Sequence, residues 1–155
     1  MTSFNLRGSL RATRRIFRNL AAPKTLAGRW RIEFAGPLWL RRLAPLGLNL
    51  SALRGWHGKS FDGDDCGVNL MRRGRKLRNL LPMRAVLRPS RLDGGLVMAA
   101  SYGSDAPVLQ LLVTEEFRIL DNDTLLGMMI LDLPGLRRQF ALPFLLHRSP
   151  SSETV

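Results

Sequence analysis

The sequence predicts a mostly β protein, an antiparallel up-and-down barrel or strongly curved sheet of about eight strands with short helical additions. Three observations support this fold class. Short runs of alternating apolar and polar residues recur along the chain, turn-forming residues separate them, and the helix–strand alternation of parallel sheets does not occur. The prediction therefore depends on the pattern of the whole chain and not on one motif.

The first segment, residues 1–24, is basic and contains no acidic residue. Its apolar residues recur at roughly helical spacing with arginines between them, which predicts a basic amphipathic helix. The apolar set is Leu6, Leu10, Ile16, Phe17 and Leu20, and the arginines are Arg7, Arg11, Arg14, Arg15 and Arg18. We expect the segment to be separable from the rest, so that its deletion leaves stability nearly unchanged. It would dock on the domain or on an anionic membrane, and its composition also resembles a transit peptide.

Residues 25–148 are predicted to form one barrel domain, and residues 149–155 a disordered tail. The domain begins with a strand in which Trp30 shares one face with two further apolar residues. The Gly-x-Trp at this strand is similar to the first strand of lipocalin-type barrels, where the tryptophan plugs one end. A calycin-like barrel is therefore expected.

A leucine-rich segment, residues 38–53, follows the first strand. Pro45 and Gly47 interrupt it, so we expect one or two short helices or an irregular lid, and not a long helix. Trp39 in this lid is placed to cover an open barrel end.

The remaining strands are separated by turn-forming residues. Pro82 predicts a sheet edge or a bulge, and Asp93-Gly94-Gly95 predicts a hairpin turn. A further turn is expected at residues 133–136. The predicted strands cover residues 56–61, 67–72, 75–87, 96–102, 108–120, 125–131 and 139–148.

The clearest hairpin spans residues 113–132. Polar and apolar residues alternate up to Ile119, and Asp121-Asn122-Asp123 supplies residues that tolerate turn conformations. Residues 125–131 are nearly all apolar, which predicts a strand buried on both faces. Since an isolated hairpin is marginal in water, the other strands must pair with it.

A chain of 155 residues is long enough for one domain with a substantial core. Cys66 is the single cysteine, which excludes an internal disulfide and fits a reducing compartment. No apolar run reaches the roughly 18 residues of a membrane-spanning helix. We therefore expect a cytoplasmic protein, with peripheral membrane contact as an open alternative.

Positive charge is concentrated in the first part of the chain. Residues 1–91 hold 20 Lys and Arg against 4 Asp and Glu, which gives 20 − 4 = +16, and residues 92–155 give 4 − 8 = −4. Such asymmetry predicts an anionic partner, either nucleic acid or a membrane surface. The alternative is the general arginine bias of the sequence.

The segment around residues 56–61 carries the densest group of chemically capable side chains. His57 and Lys59 share one face of a strand and, with Tyr102 and Glu116, are candidate catalytic residues for general acid–base chemistry. The alternative is that His57 caps a turn while Lys59 is solvated.

The preferred functional hypothesis is binding of a small apolar molecule in the barrel, because barrels of about eight strands can hold one small ligand. The alternative is an isomerase, cyclase, dehydratase or hydrolase that uses the same cavity. The candidate ligand-binding residues are Trp30, Trp39, Trp56, Phe61, Arg72, Glu115, Met128 and Phe144.

The sequence contains none of the nucleotide-binding or zinc motifs, and two histidines exclude a His-rich zinc site. Asp62, Asp64 and Asp65 are interpreted as a solvated turn, so no metal and no cofactor are expected. The basic cluster at residues 72–78 lacks the interleaved aromatics of a base-stacking surface, which disfavours nucleic acid as a partner. The oligomeric state is left open.

Two segments together resemble a known family. Residues 56–61 read Trp-His-Gly-Lys-Ser-Phe, and residues 117–127 read Phe-Arg-Ile-Leu-Asp-Asn-Asp-Thr-Leu-Leu-Gly. The chain resembles, over residues 26–148, the uncharacterised bacterial family named for a Gly-x-Trp-x-Gly motif. Those proteins carry Trp-Tyr-Gly-Lys-x-Phe and Phe-Arg-x-x-Asp-Asp-Asp-Thr-x-Leu-Gly segments. Here Ile32 replaces the second glycine and His57 the tyrosine, and the family's Asp-His pair falls on Glu115 and Glu116. The resemblance implies a small, mostly β domain and no specific activity.

Overall fold

The computed structural model describes residues 6–49, 53–133, 135 and 140–150. Within these residues, eight antiparallel strands close into a barrel in which each strand pairs with its sequence neighbours and the last pairs with the first. The predicted up-and-down barrel is thus confirmed, as a closed barrel. The strands are β1 (Ala27–Phe34), β2 (Trp56–Asp62), β3 (Cys66–Arg73), β4 (Lys76–Pro89), β5 (Leu96–Tyr102), β6 (Val113–Asp121), β7 (Thr124–Leu131) and β8 (Phe140–Arg148).

Three helices accompany the barrel in the described residues: α1 (Leu10–Arg18), α2 (Leu38–Asn49) and α3 (Val108–Leu111). The sequence predicts a strand across residues 108–120, but its first turn is helical, and a Pro at the N-cap position precedes it. α2 is one helix that contains Pro45, where two shorter helices were an alternative. The predicted tail beyond residue 150 and most of the turn at 133–136 lie outside the described residues.

The β6–β7 hairpin is confirmed, with its turn between Asp121 and Thr124. β7 is buried along nearly its whole length. Leu125 and Met129 face the barrel interior, whereas Leu126 and Met128 belong to a second apolar cluster on the outer wall. The strand is buried on both faces because this outer wall is covered.

The cover on the outer wall is α1. The helix begins after Ser9, whose side chain accepts a hydrogen bond from the Ala12 amide, a typical N-cap. Phe17 is 1% exposed and packs on the outer cluster together with Leu6, Ile16 and Leu20. The predicted amphipathic helix is therefore present, with its apolar face on the barrel. The division of the chain at residue 24 stays a prediction.

Arg118 fixes α1 to the barrel. Its guanidinium donates to the carbonyl of Phe17 at 2.8 Å and to both carboxylate oxygens of Asp93 at 2.8 Å each. Burial alone would raise the pKa of Asp93, but hydrogen bonds from Arg118 and the Gly95 amide outweigh it and lower that pKa. One buried arginine thus joins the helix, the β4–β5 turn and β6.

The two barrel ends differ in their connections. The β1–β2, β3–β4, β5–β6 and β7–β8 connections lie at one end, which α2 crosses and which we call the α2 end. The β2–β3, β4–β5 and β6–β7 turns lie at the other, which we call the far end. The strand registers fix this arrangement, since Ala27 pairs with Asp62 at the far end and Arg73 with Lys76 at the α2 end.

Candidate functional site

Four polar side chains from four strands meet inside the barrel. The Lys59 amine donates to Asn69 Oδ1 at 2.8 Å and forms an ion pair with Glu115 Oε2 at 2.6 Å. The Asn69 amide donates to the Tyr102 hydroxyl at 2.9 Å, and that hydroxyl donates to Glu115 Oε1 at 3.3 Å. These contacts close a ring, which we call the interior polar ring.

Strand register brings these four residues together. Lys59 on β2 lies opposite Asn69 on β3. Glu115 on β6 lies opposite Ala100 on β5, and Tyr102 follows two residues later on the same face. The interior polar ring therefore follows from ordinary alternation along neighbouring strands.

A bulge in β4 completes the surroundings of the ring. The pairing of β3 and β4 shifts here, and Leu81 takes φ +54°, a conformation that is unfavourable for a leucine by about 1–3 kcal/mol. The Leu81 carbonyl accepts from the Asn69 amide at 3.4 Å. Two residues later, Met83 Sδ lies 3.8 Å from Lys59 Nζ. The predicted bulge at Pro82 is thus confirmed one residue earlier.

Burial changes the acid–base properties of the ring. Desolvation lowers the pKa of Lys59, and the neighbouring Glu115 carboxylate opposes this only in part. Desolvation also raises the pKa of Tyr102 well above its usual value, and Glu115 adds to that shift. The ring therefore holds a phenol that keeps its proton and an amine that loses its proton more readily than a solvated lysine.

The middle of the barrel is filled by aromatic rings packed edge to face. Trp56 packs on Phe34 and on Phe144, with ring centroids 6.3 and 5.5 Å apart. Phe117 in turn packs on Phe144 and on Phe61, at 6.0 and 6.1 Å. Lys59 Nζ lies 4.8 Å from the Trp56 ring centroid, so this aromatic layer borders the polar ring. Space for a ligand is thus confined to the ends and side of the barrel.

A cavity of about 350 Å³ lies at the α2 end, between α2 and the aromatic layer. Val113, Met129 and Phe144 line it from the barrel, and Trp39 and Leu43 line it from α2. Its wall is almost entirely apolar, with Gln110 as the polar exception. We call it the α2 cavity; its volume suits a small ligand.

A second cavity, of about 510 Å³, lies along the β2–β3 hairpin, the β4 bulge and residues 103–106. Phe61, Leu81 and Met83 line it, so it reaches residues that contact the interior polar ring. Asp62, Arg84 and Asp105 also line it, which makes this side cavity more polar than the α2 cavity.

The structure separates the predicted catalytic residues into two groups. Lys59 and Tyr102 belong to the interior polar ring and are joined there by Glu115. Glu116 lies on the outer wall and accepts from Ser90 Oγ at 2.6 Å and the Arg91 amide at 2.7 Å. Glu116 therefore lies on the outer wall and outside the interior polar ring, whereas Glu115 belongs to that ring.

His57 lies at the register shift between β2 and β3 and is half-buried. His57 has interactions of its own and is not one of the four side chains that define the interior polar ring. The sequence pattern groups His57 with Glu116 as candidate catalytic residues, and the outward direction of Glu116 removes that carboxylate from a site inside the barrel.

Most predicted ligand-binding residues lie inside the barrel or at its α2 end. Trp56, Phe61 and Phe144 form the aromatic layer, and Trp39 lines the α2 cavity. Trp30 is buried near the far end, where Arg148 stacks on its ring at 4.4 Å.

Two predicted ligand-binding residues lie elsewhere. Met128 is fully buried in the outer cluster under α1, and Arg72 is exposed at the end of β3. Strand alternation places both on outward faces, so neither contributes to an interior site.

Asn69 is a site residue that the sequence prediction missed. It lies between Val68 and Leu70 in an otherwise apolar run, and its side chain contacts Lys59, Tyr102 and the Leu81 carbonyl. A lone amide in an apolar strand was the available signal, since a buried polar group needs partners.

Among the described residues, no three His, Cys, Asp or Glu side chains are close enough together to hold a metal ion. No helix in the same part of the chain is long and apolar enough to cross a membrane.

The chain is similar to a solved structure, the crystal structure of a protein from Thermomonospora curvata. The TM-score is 0.63 at 22% sequence identity, and the match covers 92% of this chain and 90% of that one. At this identity the likeness shows the small β-barrel fold alone. No protein-family model and no curated protein matches the chain, so the resemblance to the Gly-x-Trp-x-Gly family stays a prediction.

Proposed function

We propose that the protein binds a small apolar molecule in the α2 cavity. The observation that carries the proposal is the cavity itself, about 350 Å³ of space with an almost entirely apolar wall, bordered by the helix that crosses the barrel end. Concave apolar space of this kind is the usual setting for a small-molecule site. Leu43 and Trp39 on α2 remain more than half exposed, so the entrance is apolar as well.

The helix supplies the route into the cavity. α2 contains Pro45, whose missing N–H removes one helical hydrogen bond and weakens the helix locally. Its contact with the strands is small compared with the contacts between strands. A ligand therefore enters most easily by displacement of α2, while the barrel stays closed.

Nile red, a neutral apolar dye, tests the proposal by fluorescence titration of the full chain. Ala44→Trp fills the α2 cavity from α2, and we expect it to weaken dye binding about tenfold or more. Ala106→Trp is the matched variant in the side cavity and should leave binding unchanged. Absent dye binding, or equal weakening by both variants, would contradict the proposal.

A second candidate function is proton transfer on a carbonyl compound. The observation that favours it is the convergence of Lys59, Tyr102 and Glu115 within 3.3 Å contacts of one another. In this scheme Tyr102 donates a proton or hydrogen bond to a carbonyl oxygen, and Glu115 or Lys59 removes a proton from the adjacent carbon. Met83, a flexible side chain, separates the Lys59 amine from the side cavity.

Deuterium exchange into a medium-chain methyl ketone tests this second function. The wild-type chain should accelerate exchange above the buffer rate, and Tyr102→Phe and Glu115→Gln should remove the acceleration. Glu116→Gln is the matched control, since that carboxylate lies on the outer wall. Exchange no faster than in buffer would rule this function out for such ketones.

A further inference from the structure

Acidic and basic residues are distributed differently at the two ends of the barrel. The β2–β3 and β6–β7 turns at the far end contain Asp62, Asp64, Asp65, Asp121 and Asp123, and Arg91 and Arg148 also lie at this end, where Arg148 pairs with Asp123. The β3–β4 hairpin at the α2 end instead carries exposed basic residues, namely Arg72, Arg73, Arg75, Lys76 and Arg78. The described connections at the α2 end also contain Asp105 and Asp132, and Asp132 is ion-paired with Arg91. The molecule therefore presents a positive pole at the α2 end.

The same end presents exposed apolar side chains. Trp39, Leu43 and Leu46 follow one another at i, i+4 and i+7 on α2, so they form a single stripe along the helix. These three residues and Leu38 are each more than half exposed. Arg41 and Arg42 lie between the stripe residues in sequence, and α2 contains no acidic residue.

We propose that the α2 end is a docking surface for an anionic lipid bilayer. The surface consists of the exposed α2 stripe and the basic β3–β4 hairpin, and we call it the mouth surface. The stripe would enter the interface between headgroups and acyl chains, with Trp39 at headgroup level. The arginines of the hairpin would contact the anionic headgroups, and the acidic far end would orient away from the bilayer.

The mouth surface fits a bilayer better than it fits nucleic acid. Nucleic acid binding requires basic side chains with polar or stacking contacts, whereas a stripe of leucines has no partner on a phosphate backbone. A bilayer accepts both the apolar stripe and the arginines. Because basic and exposed apolar side chains lie together at the α2 end, an anionic bilayer fits this surface better than double-stranded nucleic acid does.

The N-terminal helix is the competing surface. Its apolar residue Phe17 is buried against the barrel wall, and Leu6, Ile16 and Leu20 pack on the same cluster. Only the polar face of α1, with exposed Arg14 and Arg15, is turned outward. Insertion of α1 into a bilayer would expose the outer cluster to water, whereas the α2 stripe is already exposed.

Tryptophan fluorescence of the full chain tests the proposal with vesicles of phosphatidylcholine alone and of phosphatidylcholine with phosphatidylglycerol. Trp39 is 53% exposed, whereas Trp30 is 3% exposed and Trp56 is packed in the aromatic layer, so a blue shift on binding reports mainly on Trp39. We expect the shift, and its quenching by brominated lipid, with the anionic vesicles. Trp39→Phe should abolish the quenching.

Charge and apolar variants separate the mouth surface from α1. Leu43→Ser with Leu46→Ser, and separately Arg73→Glu with Arg75→Glu, should each weaken partition into anionic vesicles about tenfold or more. Leu96→Ser, an exposed residue at the far end, and Arg14→Glu with Arg15→Glu should leave partition within about twofold.

Three results would overturn the proposal. The first is no partition of the folded chain into anionic vesicles. The second is loss of partition in the α1 variants and not in the mouth-surface variants. The third is that the chain binds duplex DNA and not vesicles, and that the charge reversals on the mouth surface abolish this DNA binding. The measurement uses vesicles without dye, so it does not depend on the ligand proposed for the α2 cavity.

Discussion

Lys59 Nζ lies 2.6 Å from Glu115 Oε2 inside the barrel, and neither side chain has any exposed surface. Two charges removed from water lose hydration that their mutual attraction replaces only in part, so such a pair contributes little net stability. Removal of one partner is different, because the other is left as an uncompensated buried charge.

Lys59→Met should therefore lower the free energy of unfolding by about 3–5 kcal/mol. Lys59→Met combined with Glu115→Leu should recover most of the loss, because no uncompensated charge is then buried and Asn69 still donates to the Tyr102 hydroxyl. Urea denaturation at neutral pH measures both. Asp123→Asn tests an exposed ion pair, Arg148 to Asp123 at 3.5 Å, and should cost no more than about 1 kcal/mol. A single Lys59→Met variant as mild as Asp123→Asn would contradict the interpretation of the ring.

Tyr102 gives a second, spectroscopic prediction. It is the single tyrosine of the chain, so tyrosinate absorbance reports on it alone. Because burial raises its pKa, the band should be absent from the folded protein at a pH of about 10, where a free phenol is half ionised. Absorbance that appears while circular dichroism remains native would show that the phenol is open to solvent.

Two residues of the interior polar ring, Tyr102 and Lys59, make the stability of the fold depend on pH, with opposite signs. The folded state keeps the Tyr102 proton above pH 10 where the unfolded chain releases it, so stability falls as pH rises there. Lys59 acts oppositely: its pKa is lowered, so the unfolded chain binds more protons below pH 10.5 and stability rises with pH. Tyr102→Phe should flatten the alkaline fall, and urea midpoints across this range check it.

Alternation accounts for most of what the sequence predicted correctly. β6 and β7 follow from period-two patterning and an Asp-Asn-Asp turn. Closure of the barrel then gives both edges of every strand a hydrogen-bonding neighbour. The same alternation places the side chains of the interior polar ring on the inward faces of their strands. Glu115 is two residues from Phe117, so it shares the inward face, whereas Glu116 cannot.

Pro82 indicated the bulge in β4, but the register shift at His57, the backbone conformation of Leu81 and the contacts of Arg118 with α1 were not predicted from the sequence. The register shifts at His57 and at Leu81 each insert a residue, and a one-residue shift exchanges the two faces of a strand. The left-handed conformation of Leu81 has no sequence signal, because leucine rarely adopts it. The contact of Arg118 with α1 cannot be predicted from local sequence patterns either, because Arg118 and Phe17 are 101 residues apart in the chain.

The buried Phe17 argues against the separability that the sequence predicts for the N-terminal segment. Deletion of residues 1–24 would remove Phe17 from the outer cluster and leave Arg118 without its carbonyl partner. Phe17→Ala alone should cost about 3–5 kcal/mol by the usual cost of a buried phenylalanine, and the deletion should lower the thermal midpoint clearly. Arg14→Ala, on the exposed side of α1, is the control and should stay within about 0.5 kcal/mol. An unchanged midpoint after deletion would restore the original prediction.

Gly127 and Phe144 lie opposite each other on β7 and β8, and the missing side chain of the glycine leaves space for the phenyl ring. A Cβ at residue 127 would lie 2.5 Å from the Phe144 Cζ atom, closer than any real contact. Phe144 is 1% exposed and forms the floor of the α2 cavity, so the ring cannot move without disturbing Trp56 and Phe117.

Gly127→Ala should therefore destabilise the barrel by about 1–3 kcal/mol through overpacking. Phe144→Leu in the same chain removes the colliding ring atoms, so the double variant should lose less stability than the sum of the two single variants. Urea denaturation of the four proteins of this cycle gives the coupling energy, and a favourable value above about 0.5 kcal/mol is expected for residues in contact. Strict additivity would show that the two positions do not touch. The same Gly127→Ala chain should bind Nile red differently from wild type if the dye occupies the α2 cavity, because its floor has shifted.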